Sequence, residues 1–109
     1  MFTNTEKLNI RKIAVELGIS AGQVESTVVL LDEGATIPFI SRYRKEMTGS
    51  LDEVQVAQVR DRMDALRTLE KRRVFILETI EGQGKMTEEL RNNILKADSL
   101  IQLEDLYLP

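Results

Sequence analysis

The chain has 109 residues, enough for one domain to bury a core without covalent staples. It contains no cysteine and no histidine, which removes disulfides, thiolate nucleophiles, the commonest metal ligand and the commonest general base. Most hydrolytic and zinc chemistries are thereby excluded, and no cofactor or metal is expected. The formal net charge of -3 is unevenly spread: residues 40–75 hold nine Lys/Arg against six Asp/Glu, leaving six against twelve elsewhere, so a polyanion would meet the middle of the chain first.

No apolar run approaches the roughly 18 residues of a membrane span, and the first residues, MFTNTEK, carry neither a basic n-region nor an apolar h-region. A cytoplasmic location with no membrane partner is expected. Thr3, with Glu6 three residues on, opens a first predicted helix over about 4–17, which shows Ile10, Ile13, Ala14 and Leu17 on one face and Leu8 off it. Gly18 ends it. Ser20 with Gln23 caps a second helix reaching about Glu33, where Val24, Val28 and Leu31 form a seam that Val29 and Leu30 widen, so burial on more than one side is expected.

Gly34 can stop that helix in a left-handed conformation, and Pro38 fixes the first turn of another that starts at Thr36 or Ile37 and stops at Gly49. Within it Phe39, Ile40, Tyr43 and Met47 fall on one apolar stripe, Arg42 and Lys45 on the far side and Arg44 at the border. Ser50 with Glu53 reads as a capping box for the next helix. From Leu51 to about Glu81 there is no Gly or Pro, and Val56, Val59, Met63, Leu66, Leu69, Ile76, Leu77 and Ile80 recur at helical spacing. That predicts a helix of about 30 residues and about 45 Å. A compact domain of this size is only about 35 Å across, so the helix is expected to project or to be covered by other chain.

Gly82 and Gly84 interrupt the pattern; Thr87 then caps a shorter helix with Leu90, Ile94 and Ala97 on one face, and a last turn or two carries Leu100, Leu103 and Leu106. The closing LEDLYLP leaves Leu106, Tyr107 and Leu108 with no further sequence to pack under, which reads as a fragment cut from something longer. The expected fold class is all-α. It comprises a helix-turn-helix-like N-terminal hairpin (1–34), a short linking helix (35–50), one long helix (51–82) and a C-terminal helical hairpin (86–109).

Ala14, Gly18, Ile19, Ser20 and Val24 have the spacing of a helix-turn-helix. As a base reader the pair is poor: no Lys or Arg lies between Lys12 and Arg42, and Glu25, Asp32 and Glu33 repel phosphate. The basic residues Arg42, Arg44, Lys45, Arg60, Arg62, Arg67, Lys71, Arg72 and Arg73 could form a phosphate-binding stripe or a solvated surface laced with ion pairs, since Asp64 with Arg67 and Glu70 with Arg73 sit at i,i+3. GQGKMT fails as a phosphate loop, because Thr79 stands where the first glycine belongs and Met86 follows Lys85 where Ser or Thr should. Adjacent carboxylates such as Asp52/Glu53 and Glu88/Glu89 point about 100° apart on a helix, the wrong arrangement for a paired acid and base.

Taken together, IAVELGISAGQV, LLDEGATIPFISRYRKEMTGSLDEV and LEDLYLP closely resemble the N-terminal region of the bacterial Tex transcription accessory proteins, relatives of a eukaryotic transcription elongation factor. The most specific part is Gly34 to Glu53, where Ser41 stands in place of an expected Ala. The resemblance implies a cytoplasmic nucleic-acid-binding protein several times longer, in which this region precedes an RNase H-like domain, helix-hairpin-helix elements and an RNA-binding OB-fold. No functional residue of that OB-fold maps onto these positions.

Two roles are expected from these readings. In the first, a non-catalytic scaffold, Phe39, Tyr43, Leu106 and Tyr107 pack against the remaining domains of the parent protein, and Arg44, beside the apolar stripe, is placed for burial against a carboxylate of another domain. In the second, Arg42, Arg44, Lys45, Arg72 and Arg73 make an auxiliary contact to RNA or DNA. The transcription machinery is the wider partner, and no enzymatic activity is expected.

Overall fold

The computed structural model describes residues 2–108. Among them the chain forms seven α-helices and no strand: α1 (Asn4–Leu17), α2 (Ala21–Asp32), α3 (Ile37–Tyr43), α4 (Lys45–Thr48), α5 (Glu53–Gly82), α6 (Glu88–Lys96) and α7 (Leu100–Tyr107). They divide into two compact units, one up to Leu66 and one from Arg67 onward.

In the first unit the helix ends are set locally, as the sequence predicts. The Thr3 hydroxyl accepts from the Glu6 amide at 3.1 Å, and Gly18 closes α1 in the left-handed region at φ 68°. Ser20 and Gln23 form a reciprocal capping box at the start of α2, and the two helices are bent by 116° across the turn. That bend turns Ile10, Ile13 and Ala14 of α1 toward Val24 and Val28 of α2, where Val59, Met63 and Leu66 of α5 complete a core. A second cluster joins Leu30, Ile40, Leu51 and Val56. The wide apolar face of α2 thus divides between two clusters, and each large side chain it buries contributes about 1.5–3 kcal/mol.

In the second unit Leu69, Ile76 and Ile80 of α5 pack with Ile94 and Ala97 around α6 and with Leu103 of α7. Thr87 caps α6 through the Leu90 amide at 3.1 Å, and Ser99 caps α7 through the Gln102 amide at 3.2 Å. The first turns of α5 belong to the core of the first unit and its later turns to that of the second. No single helix among the described residues is long and apolar enough to cross a membrane.

Two expectations for the stretch between α2 and α5 need correction. The single linking helix is broken at Arg44, whose φ of -129° and ψ of 29° lie outside the helical region. Of its apolar stripe Ile40 is fully buried, whereas Phe39, Tyr43 and Met47 are exposed. Burial runs through Ile37, Ile40 and Ser41, of which Ile37 and Ile40 pack with Leu30, Leu51 and Val56. Finally, Ser50 does not cap α5. It sits at φ 66°, following Gly49 into the left-handed region, while an N-cap residue must be extended. Asp52 takes the role, its carboxylate accepting from the Gln55 amide at 2.8 Å and its own amide donating to Gln55 Oε1 at 3.0 Å.

Candidate contact surfaces

The first surface lies on α3 and α4. The Thr36 hydroxyl accepts from the Phe39 amide at 3.2 Å and Pro38 occupies the first turn, so α3 starts in a defined register. With Ile37, Ile40 and Ser41 turned inward, Phe39, Arg42 and Tyr43 share the opposite face, within an arc of about 100°. Arg42 therefore stands beside the two rings rather than behind them. Phe39 is 38% exposed, Tyr43 62% and Met47 46%. The rings of Phe39 and Tyr43 lie one turn apart with centroids 5.5 Å from each other and planes at 47°.

Arg44 folds back over this face. Its guanidinium lies 4.7 Å from the centre of the Phe39 ring and donates through Nη1 to the Tyr43 carbonyl at 2.9 Å. Arg42, Arg44 and Lys45 make no ion pair among the described residues. The turn that follows is clamped to α2: Gln23 Nε2 donates to the carbonyls of Thr48 at 3.1 Å and Gly49 at 3.2 Å. Thr48 is itself buried and accepts from the Leu51 amide at 3.3 Å.

The remaining candidate cations, Arg72 and Arg73, belong to the second unit and are already engaged. Arg72 meets Glu104 in a two-point fork, Nε to Oε1 at 2.5 Å and Nη2 to Oε2 at 3.1 Å. Its guanidinium also lies 5.0 Å from the Phe75 ring and 5.3 Å from the Tyr107 ring. The hydrogen bonds from Arg72, reinforced by its charge, hold the Glu104 carboxyl below the ordinary carboxylate range and push Arg72 further up. Arg73 serves the end of α6. It donates to the Ile94 carbonyl at 3.1 Å, to the Ala97 carbonyl, and to Glu70 at 2.6 Å. A similar fork in the first unit joins Arg62 to Glu16 at 2.7 and 3.0 Å, and it lowers the Glu16 carboxyl.

Leu106 and Tyr107 are half-buried against the core of the second unit. Beside them opens a groove of about 440 Å³ lined by Ile80, Gln83, Lys85, Leu90, Leu106, Tyr107 and Leu108. The four candidate packing residues therefore sit as two pairs, Phe39 with Tyr43 in the first unit and Leu106 with Tyr107 in the second. Sequence reasoning missed Gln23 as a clamp, and Glu104 and Phe75 as partners of Arg72. Phe75 at i+3 from Arg72 was a usable signal, whereas Glu104 lies 32 residues away and left none. Among the described residues no group of three or more acidic side chains is arranged to hold a metal ion.

Residues 7–81 match the model of the Tex-like protein N-terminal domain. The chain is 48% identical over 103 residues to the transcriptional accessory protein Tex of Neisseria gonorrhoeae, an alignment that takes in 94% of this chain and 14% of that protein. It is 50% identical to protein YhgF of Escherichia coli, over 91% of this chain and 13% of the relative. A more distant relative, the human S1 RNA-binding domain-containing protein 1, is 34% identical over 73% of this chain and 8% of its own length. The chain thus spans about one seventh of the length of its bacterial relatives. With most of its length matched by that one model, the chain belongs to the Tex family, in the part formed by the Tex-like N-terminal domain.

Proposed function

We propose that the chain is the non-catalytic helical scaffold region of a nucleic-acid-binding transcription accessory protein, working in the cytoplasm and holding the remaining domains of its parent in position. The groove of the second unit carries this reading. It is a concave, mainly apolar surface of about 440 Å³, and Leu108 at its rim is 63% exposed. Leu106 and Tyr107 are its interdomain packing residues. Supporting context comes from the relatives, one named as a transcriptional accessory protein and another for an RNA-binding domain. The α1–α2 pair, bent by 116°, has no Lys or Arg from Ile13 to Ser41 and is read as a structural, helix-turn-helix-like hairpin rather than a base reader.

Leu108→Asp tests the scaffold. In the isolated chain this exposed side chain supports nothing, so the melting temperature should hold. In the full-length protein, by contrast, the same change should lower the melting temperature and make the region separately cleavable by protease. An unchanged full-length protein refutes the reading. A second reading, the auxiliary contact to nucleic acid, is favoured by one observation: among the described residues Arg42, Arg44 and Lys45 have no carboxylate partner while Arg72 and Arg73 have theirs.

A further inference from the structure

We infer that the exposed face of α3 is a stacking platform for single-stranded nucleic acid, with Phe39 and Tyr43 receiving bases and Arg42, Arg44 and Lys45 meeting phosphates. The inference rests on the nucleic-acid reading and is independent of the scaffold role. Its first support is ring chemistry. Two aromatic side chains on successive turns, with centroids 5.5 Å apart and planes at 47°, are 38% and 62% exposed and offer ring surfaces that unstacked bases can meet. The guanidinium of Arg44 over Phe39 adds a charged plane that can also stack.

Charge is the second support. Between Ile37 and Gly49 there are three cations and one acid, Glu46, in a chain whose net charge is -3, so the local excess is not part of a general basic character. Among the described residues none of the three cations is paired with a carboxylate. A purely apolar protein partner covering Phe39 and Tyr43 would strip water from Arg42 beside them without pairing it. A polyanion with aromatic bases satisfies rings and cations together. Duplexes keep their base faces stacked, so the preferred ligand is a single strand, and stacking accepts any base, so little sequence preference follows.

The third support is rigidity. The Gln23 clamp and the buried Thr48 hold the end of α4 on α2, while Ile40 anchors α3 in the core, so the rings sit on a fixed backbone. Because Phe39 and Tyr43 lie outside the core, they can be replaced without unfolding the unit.

The test is fluorescence anisotropy of a short labelled oligouridine with the 109-residue chain, at salt from about 50 to about 200 mM. Three phosphates neutralised on a single strand give a slope of log K against log salt of about -2. Tyr43→Ala and Phe39→Ala should each weaken binding about tenfold. Arg42→Ala with Lys45→Ala should reduce the slope to about -0.7. Tyr43→Leu separates the two classes of partner, since it keeps apolar contact but removes the ring: a stacking platform loses most of its affinity, whereas a protein-docking face does not. Circular dichroism confirms that each variant keeps its helix content. No binding at low salt overturns both this inference and the nucleic-acid reading. Binding indifferent to Phe39 and Tyr43, or equally strong to a duplex, overturns the platform alone. Capture of an acidic amphipathic peptide in place of oligouridine assigns the face to a protein partner and overturns it as well.

Discussion

Arg73→Ala removes one guanidinium that serves three acceptors: the carbonyls of Ile94 and Ala97 at the end of α6, and the carboxylate of Glu70. The side chain is only 12% exposed, so water replaces it poorly. Hydrogen bonds to a charged donor are worth about 1.5–3 kcal/mol each. Taking the low end for the two carbonyls gives about 3 kcal/mol; the Glu70 contact, an i,i+3 pair on the helix surface, adds a few tenths. Because the loss falls on the end of α6, native-state hydrogen exchange is the direct assay. A local loss of about 3 kcal/mol raises exchange of the α6 and α7 amides by about two orders of magnitude. The amides of α1 and α2 should be unaffected. Arg73→Lys keeps the charge without the planar fork and should fall between the two. Exchange in α6 within about threefold of the parent would refute the capping role, and would return Arg73 to the set of cations free for phosphate.

Three further outcomes follow from the same contacts. Glu104 has its carboxyl pulled down by Arg72, so the fork stabilises the second unit fully above the ordinary carboxylate range near pH 4.3 and loses that contribution as pH falls through the lowered folded value; Glu104→Gln should flatten the acid limb of a stability–pH curve. Gly49→Ala should cost about 2 kcal/mol in chemical denaturation, because a left-handed φ of 67° strains any side chain and the added Cβ would lie 2.6 Å from Gln23 Nε2, breaking the clamp onto α4. Asp52→Ala should cost about 1 kcal/mol as the loss of the α5 cap. Ser50→Gly should instead be neutral or stabilising, by up to about 1 kcal/mol, since Ser50 holds φ 66° with no capping bond; equal losses at both positions would refute the assignment of the cap.

The features legible in the amino-acid sequence were those decided within one or two helical turns. Thr3, Ser20 with Gln23, Thr36 and Thr87 cap their helices because a capping bond reaches only three residues ahead. Gly18, Gly34 and Gly49 take the left-handed conformation that lets a helix stop. The apolar period of α5 needed no partner to be recognised. Tertiary structure decided which of two overlapping apolar stripes on the link would be buried, since α3 has only seven residues and a register choice that depends on what lies opposite. Ile40 belongs to both stripes. Leu30, Leu51 and Val56 selected the one running through Ile37 and Ser41, and so left Phe39 and Tyr43 facing outward.

The same division holds for charge. Sequence spacing finds Glu70 beside Arg73 but cannot find Glu104 beside Arg72 or the carbonyls of Ile94 and Ala97, because those partners arrive only when α6 and α7 fold back on α5. A count of basic residues along the chain made Arg42, Arg44, Lys45, Arg72 and Arg73 equivalent. Folding separates them by supplying carboxylates to the last two and, among the described residues, no carboxylate to the first three. Local chemistry therefore determined the helices and the family, whereas long-range packing determined which rings and cations stay available to a partner.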